Sequence, residues 1–264
     1  MAQQPIRFDD GEAYERGMGG WSQLAGQVFL DWLAPSPGLR WIDVGCGNGA
    51  FTELLVQRCA PAEVQGIDPS EGQLAFARTR PGAQTATFLL GDAMALPFSE
   101  ARFDAAVMAL VIFFVPEPAK GVAEMVRVVA PGGTVAAYAW DLHGQGFPFA
   151  PIQAELREMG FTPQLPPSAD VSRMEALRDT WAAAGLEAVE TREITVDRTF
   201  ADFEAFWASS TAMGHMRSML EGLTADDLEQ FKQRVKARLS VDASGRVTHQ
   251  ARANAIRGRV PMAS

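Results

Sequence analysis

The sequence is short of the residues that build several common kinds of site. Two cysteines in 264 residues, Cys46 and Cys59, cannot make a disulfide framework, and they lack the clustered spacing of a zinc site. The residues between them read as a turn and a helix, so no bridge between the two is expected. Basic residues are few: 23 against 32 acids leaves a net charge of −9, which argues against gripping nucleic acid through its phosphates. The most apolar stretch, Ala105 to Val115, falls far short of the roughly 20 residues of a membrane span. The opening MAQQPIRFDD has neither the basic region nor the apolar core of a signal peptide. The expectation is a soluble, cytoplasmic protein with a small-molecule partner, no metal, no nucleic acid and no membrane.

What is present is core. Hydrophobic residues make up 47% of the chain and charged residues 21%, and the length suits one α/β domain carrying a cap. Apolar residues at helical spacing, Tyr14, Met18, Trp21, Leu24, Val28 and Leu33, predict a helix over 12–34 that stops before Pro35 and Pro37. From Leu39 short apolar runs alternate with helix-period stretches. Strands are expected at 39–44, 64–68, 85–90, 103–110 and 134–140, with helices at 50–58, 71–78 and 119–129 between them. Continuous apolar strands alternating with helices mark a doubly wound, mostly parallel sheet. Residues 141–170 hold five prolines and read as an irregular insert with one short helix at 152–159. A helix over 173–184, a strand at 186–196, helices over 202–221 and 224–239, and a last strand at 246–259 complete the expected order.

The sharpest motif is Asp43-Val-Gly-Cys-Gly-Asn-Gly49, directly after the first strand. Its glycines permit a tight turn and close approach of a ligand, and amides at a helix start favour an anionic group. Asp68 ends the second strand, where a carboxylate can accept both hydroxyls of a ribose. A nucleoside-containing cofactor follows. Gly45-x-Gly47-x-x-Ala50 also satisfies the dinucleotide fingerprint, so an NAD-dependent oxidoreductase is one reading.

With WIDVGCGNGAFT (41–52), GIDPS (66–70), GDAMALPFSEARFDAAVMA (91–109) and RVVAPGG (127–133), the chain resembles the class I S-adenosylmethionine-dependent methyltransferases. The likeness is greatest to the small-molecule group that includes quinone-biosynthesis methyltransferases. The resemblance implies a Rossmann-like, seven-stranded α/β sheet of order 3-2-1-4-5-7-6, with 246–259 as the antiparallel seventh strand. It implies S-adenosyl-L-methionine as cofactor. Asp43 would support the loop and the methionine amino end, and Gly45, Cys46 and Gly47 would pass under the methionine moiety. Asp68 would bind the ribose with Pro69 against the adenine, Asp92 and Ala93 would read the adenine edge, and Ala109 would contact the amino-acid part. A helical lid over residues 1–36 would place Tyr14 and Trp21 over the methyl group or pack them against the sheet. A cofactor-binding core at 37–140, cap inserts at 141–172 and 200–240, and last strands at 186–198 and 246–259 complete the single domain.

Methyl transfer to carbon or oxygen needs alignment and exclusion of water, and a base only when the nucleophile arrives protonated. Candidates for such a role are His143, Asp141 and Tyr14, with His215 and His249 expected to be structural or solvated. Phe113 and Phe114 after the fourth strand could wall a substrate or be buried. Trp140, Phe147, Phe149, Phe161, Phe203, Phe206 and Trp207 come from segments expected above the cofactor and favour an apolar or aromatic metabolite. The basic stretch from Lys232 to Arg259 is expected to be solvated helix and strand faces. A non-catalytic S-adenosylmethionine-binding protein is the third reading.

Overall fold

The apolar run after Leu39 forms the middle of a sheet because both of its faces are covered. Strand β1 (Arg40–Val44) is buried from Trp41 to Val44, between β2 (Glu63–Asp68) and β4 (Phe103–Ala109), both parallel to it. Strand β3 (Thr87–Leu90) forms one edge, and β5 (Val129–Trp140) lies beyond β4. Strand β8 (Val247–Arg259) runs antiparallel to β5 on one side and to β6 (Glu187–Phe200) on the other. The computed structural model describes residues 15–161, 165–212, 220 and 222–262.

The order along the sheet is β3-β2-β1-β4-β5-β8-β6. This is the expected 3-2-1-4-5-7-6 arrangement once the two-residue strand β7 (Ser240–Val241) is set aside. Strand β7 was not foreseen: it pairs only Ser240 with Thr248 and Val241 with Val247, too short a run for any periodicity to register. Strand β6 runs four residues past the predicted end at 196. Only alternate residues of its outer half are covered, among them Ile194, Val196 and Phe200, as befits an edge strand with one face packed. Strand β5 stops at Trp140 opposite Ala253, whereas β6 and β8 stay paired out to Phe200 and Val247. The pair therefore overhangs the carboxyl end of the sheet by roughly 20 Å.

Helices α1 (Gly20–Leu33), α2 (Ala50–Cys59), α3 (Glu71–Ala77) and α4 (Pro118–Val128) belong to the core, α1 preceded by a π-helical turn at Glu15–Gly19. Helix α1 closes at Ala34, whose left-handed backbone returns its amide to the Leu30 carbonyl before Pro35 prevents continuation. Phe29 of α1 meets Tyr138 of β5 at 4.6 Å between ring centroids, which ties this helix to the middle of the sheet. Helices α5 (Ala150–Glu158) and α6 (Met174–Ala183) flank the insert, and α7 (Phe203–Ser210) and α8 (Ala225–Ala237) follow β6. The helix expected over 202–221 ends in the turn at Thr211; residues 213–219 and 221 lie outside the described residues. Cys46 and Cys59 are both free and buried. Among the described residues no helix is long and apolar enough to cross a membrane, and no cluster of metal-ligating side chains occurs.

Trp181 of α6 anchors one face of the sheet. It is fully buried and its Nε1 donates to the Val135 carbonyl at 3.1 Å, beneath Gly258, where a Cβ would come within 3.0 Å of the indole. Trp181→Ala should cost about 3–5 kcal/mol through the cavity it opens, read as a lower urea midpoint at unchanged slope.

Candidate functional site

The chain turns immediately after Val44. The amides of Gly45 and Cys46 both donate to the Ile67 carbonyl on β2, at 2.7 and 3.0 Å. Gly45 has φ +75°, and a Cβ there would lie 2.4 Å from Val111 Cγ1, so neither backbone nor space admits a side chain. At Gly47, with φ +52°, the nearest atom to a Cβ would be Gln73 Oε1 at 3.9 Å. The space above Gly47 is open, and a ligand can lie against bare backbone there.

Carboxylates follow the loop. Asp68 Oδ2 accepts from the Gly47 amide and Oδ1 from the Ser70 amide, each at 2.9 Å. Burial raises its pKa against the pull of these two bonds. Each oxygen keeps a lone pair for a further donor. Asp43 is completely buried: Oδ2 accepts from Thr52 Oγ1 at 2.6 Å, and Oδ1 has no partner. Loss of hydration lifts its pKa to about 7, Thr52 opposing and the charge on Asp68 adding to the rise. Beyond β3, Asp92 is exposed and caps its own turn through the Met94 amide at 2.8 Å, with Ala93 half-buried beside it. Cys46 is buried and its thiol is pushed well up, chiefly by burial, which removes it as a nucleophile.

A second group of residues at this loop carries no sequence signal. Arg80, 9% exposed in its side chain, donates from Nε to the Asn48 carbonyl at 2.6 Å and from Nη1 to Glu53 at 3.0 Å. Its remaining nitrogen pairs with Glu15, which also accepts from Asn48 Nδ2 at 3.0 Å. The N-terminal segment is thus tied to the glycine loop. Residues so far apart in the chain cannot be matched by spacing.

The remaining candidates separate. Ala109 ends β4 half-buried, and Pro69 is exposed at the rim. Trp21 is fully buried against Phe200 and His249, with ring centroids at 6.3 and 5.8 Å, so it packs on the overhanging strands. Tyr14 and His215 lie outside the described residues. Asp141 is committed to the insert, accepting from Arg252 at 2.6 Å and from the Gly144 amide at 2.8 Å. His143 contacts Asp170 at 3.1 Å and Arg173 at 3.2 Å on the surface. His249, expected to be structural or solvated, is enclosed by Trp21 and Phe206 and hydrogen-bonded to the Pro148 carbonyl, while Nε2 has no partner. Burial depresses its pKa, so the ring stays neutral. Phe113 is core, 3% exposed, whereas Phe161 is 39% exposed. The basic stretch is largely ion-paired: Lys232 with Glu204, Arg234 and Arg238 with Glu155, Arg246 with Asp242, Arg252 with Asp141, Arg257 with Glu190.

Residues 42–137, from β1 to within β5, match the family described as "Methyltransferase domain". Over those residues the chain is similar to the class I methyltransferases. Over 119 residues it is 34% identical to the ubiquinone/menaquinone biosynthesis C-methyltransferase UbiE of Dinoroseobacter shibae, covering 44% of this chain and 48% of that protein. Over 132 residues it is 35% identical to the malonyl-[acyl-carrier protein] O-methyltransferase of Methylococcus capsulatus, covering 50% and 46%. The chain spans about half the length of the curated relatives it matches. The fold is shared with phosphoethanolamine N-methyltransferase 2 of Haemonchus contortus, at TM-score 0.58 and 18% identity over 95% of this chain and 57% of that one. S-adenosylmethionine is the methyl donor typical of the family. The methyltransferase domain fits it: an open cradle over Gly47, a buried carboxylate oxygen without a partner at Asp43, and a rim carboxylate at Asp68 match a cationic amino acid joined to a nucleoside.

Asp43 makes the site pH-sensitive. A carboxyl whose pKa climbs from 3.8 unfolded to about 7 folded favours folding fully below pH 3.8, and that contribution is lost as the pH rises through 7. Between pH 5 and pH 8 the wild type should lose about 2–3 kcal/mol of stability relative to Asp43→Asn, measured by urea unfolding of both proteins. Parallel pH profiles would mean that Asp43 does not bury a titrating carboxyl.

Proposed function

We propose that this protein transfers the methyl group of S-adenosylmethionine to carbon or oxygen of a small apolar or aromatic metabolite. The observation that carries the acceptor class is the aromatic enclosure above the carboxyl end of the sheet. Trp21, Phe200, Phe206 and His249 form a closed circuit with neighbouring ring centroids 5.4–6.3 Å apart. These rings are packed against one another with no gap between them, and together they give the cap an apolar, water-excluding body that favours an apolar acceptor beside it.

Bound S-adenosylmethionine supplies an activated methyl group, so the protein's work is to hold, orient and dry the reactants. Gly45, Cys46 and Gly47 provide the backbone cradle and Asp43 the counter-charge for the amino end. Asp68 accepts the ribose hydroxyls, with Pro69, Asp92 and Ala93 at the adenine and Ala109 beside the amino-acid part. Glu15, through Asn48 and Arg80, holds the lid segment at the loop. Should the acceptor arrive protonated, His249 Nε2 is the histidine nitrogen that stands unpartnered among the described residues. With their side chains engaged elsewhere, His143 and Asp141 take no part in this scheme.

Calorimetric titration tests the reading. S-adenosylhomocysteine should bind with micromolar affinity and NAD should not bind at all. Asp68→Ala should weaken the S-adenosylhomocysteine interaction by about 1.5–3 kcal/mol through lost charge-assisted hydrogen bonds. Unchanged affinity in that variant would remove Asp68 from the ribose.

A further inference from the structure

Arg198 is the anomaly of the cap. It faces the α1 side of β6, directly opposite His249 on β8. Its guanidinium carbon lies 4.6 Å from the centroid of Phe200 and 5.9 Å from that of Trp21. Burial lowers its pKa, and no carboxylate among the described residues pairs with it. Its polar contact is with Ser209 Oγ at 3.3 Å. Arg178, Arg192, Lys236 and Arg259 of the C-terminal third also lack a carboxylate partner among the described residues but are exposed to water, whereas Arg198 is half-buried among rings, where an unpaired charge is costly and calls for an anion from elsewhere.

Three further features point to the same place. Trp21, whose ring lies beside Arg198, has a buried Nε1 without an acceptor. Gly20, where the π-helical turn passes into α1, lies against the Arg198 guanidinium, a Cβ there coming 3.0 Å from it. Ser209 also lines a cavity of about 620 Å³, walled by Arg16, Trp207, Ala208, Leu220 and Leu228 among others. That volume is the size of a small-molecule site.

We propose that this cavity and the adjoining face of β6 and β8 form the acceptor site, and that Arg198 selects an apolar or aromatic molecule bearing a carboxylate. The inference rests on the methyltransferase reading and narrows its substrate class. Arg198 supplies the positive charge that a carboxylate pairs with. Ser209, hydrogen-bonded to Arg198, brings the guanidinium to the edge of the cavity, and the apolar walls take the rest of the molecule. Segment 15–21 reaches from the Asn48 contact at Glu15 to Trp21 beside Arg198, a helical span of roughly 9 Å, so the acceptor site and the glycine loop share one roof.

The test is calorimetry of the full chain, saturated with S-adenosylhomocysteine, against 2-naphthoate, its neutral isostere 2-naphthamide, and 2-naphthyl phosphate. The wild type should bind the carboxylate at least tenfold more tightly than the amide and more tightly than the phosphate. Arg198→Met should bring the carboxylate-to-amide ratio close to one while leaving S-adenosylhomocysteine affinity within twofold, and Arg198→Lys should restore part of the preference. Melting separates this from a structural role: Arg198→Met, which removes an unpaired charge at similar volume, should melt at or above the wild-type temperature. Equal binding of carboxylate and amide, binding of neither, preference for the phosphate, or a marked fall in melting temperature would each overturn the proposal. Failure of S-adenosylhomocysteine itself to bind would overturn the methyltransferase reading instead.

Discussion

One carbonyl governs the cofactor end of this molecule. Ile67 O accepts the amides of both Gly45 and Cys46, and by doing so it forces the chain to leave β1 sharply beside the end of β2. The turn then brings the Gly47 amide to Asp68, and its crowding against Val111 fixes it relative to the segment after β4. Three strand ends are registered by one small turn. Asp43 beneath it and Asp68 beside it acquire their environments from that geometry, and so do their raised pKa values.

Arg80 adds a second layer of constraint. A guanidinium this buried is tolerable because Glu15, Glu53 and the Asn48 carbonyl surround it, and removing one partner would leave charge stranded in a poorly hydrated site. The same residue bonds the loop backbone, the first helix after it and the segment that precedes α1. Order in the N-terminal segment and order in the glycine loop are therefore a single problem for the chain.

The parts of this structure that could be read from sequence are those in which a local pattern has one physical meaning. Uninterrupted apolar runs such as Trp41–Val44 and Ala105–Met108 are strands buried on both faces, and they lie in the middle of the sheet. The glycine loop and Asp68 could be paired because a strand, a turn and a helix of ordinary length separate them. Strand β7 escaped because two residues cannot display a period. Arg80 with Glu15, and Arg198 with Trp21, escaped for a different reason: their meaning lies in which distant residue is absent or present beside them. An unpaired arginine reads in sequence like any other arginine. Asp141 and His143 looked exposed to chemistry at a strand end, yet Arg252, Asp170 and Arg173 fold back to occupy them.

The overhang of β6 and β8 divides the chain into a part that is held in place and a part that is hung from it. Everything registered by Ile67 stays within the parallel strands, while α7 and α8 are suspended from the overhanging ribbon of β6 and β8, with β7 along its tip, beyond Trp140. Lengthening, trimming or rewriting the suspended part leaves the ladder between β1, β2 and β4 untouched. With the acceptor site proposed for the cap, divergence in what is recognised accumulates there while the fixed part stays constant, and a lineage exchanges acceptors without passing through a form that has lost its hold on the donor.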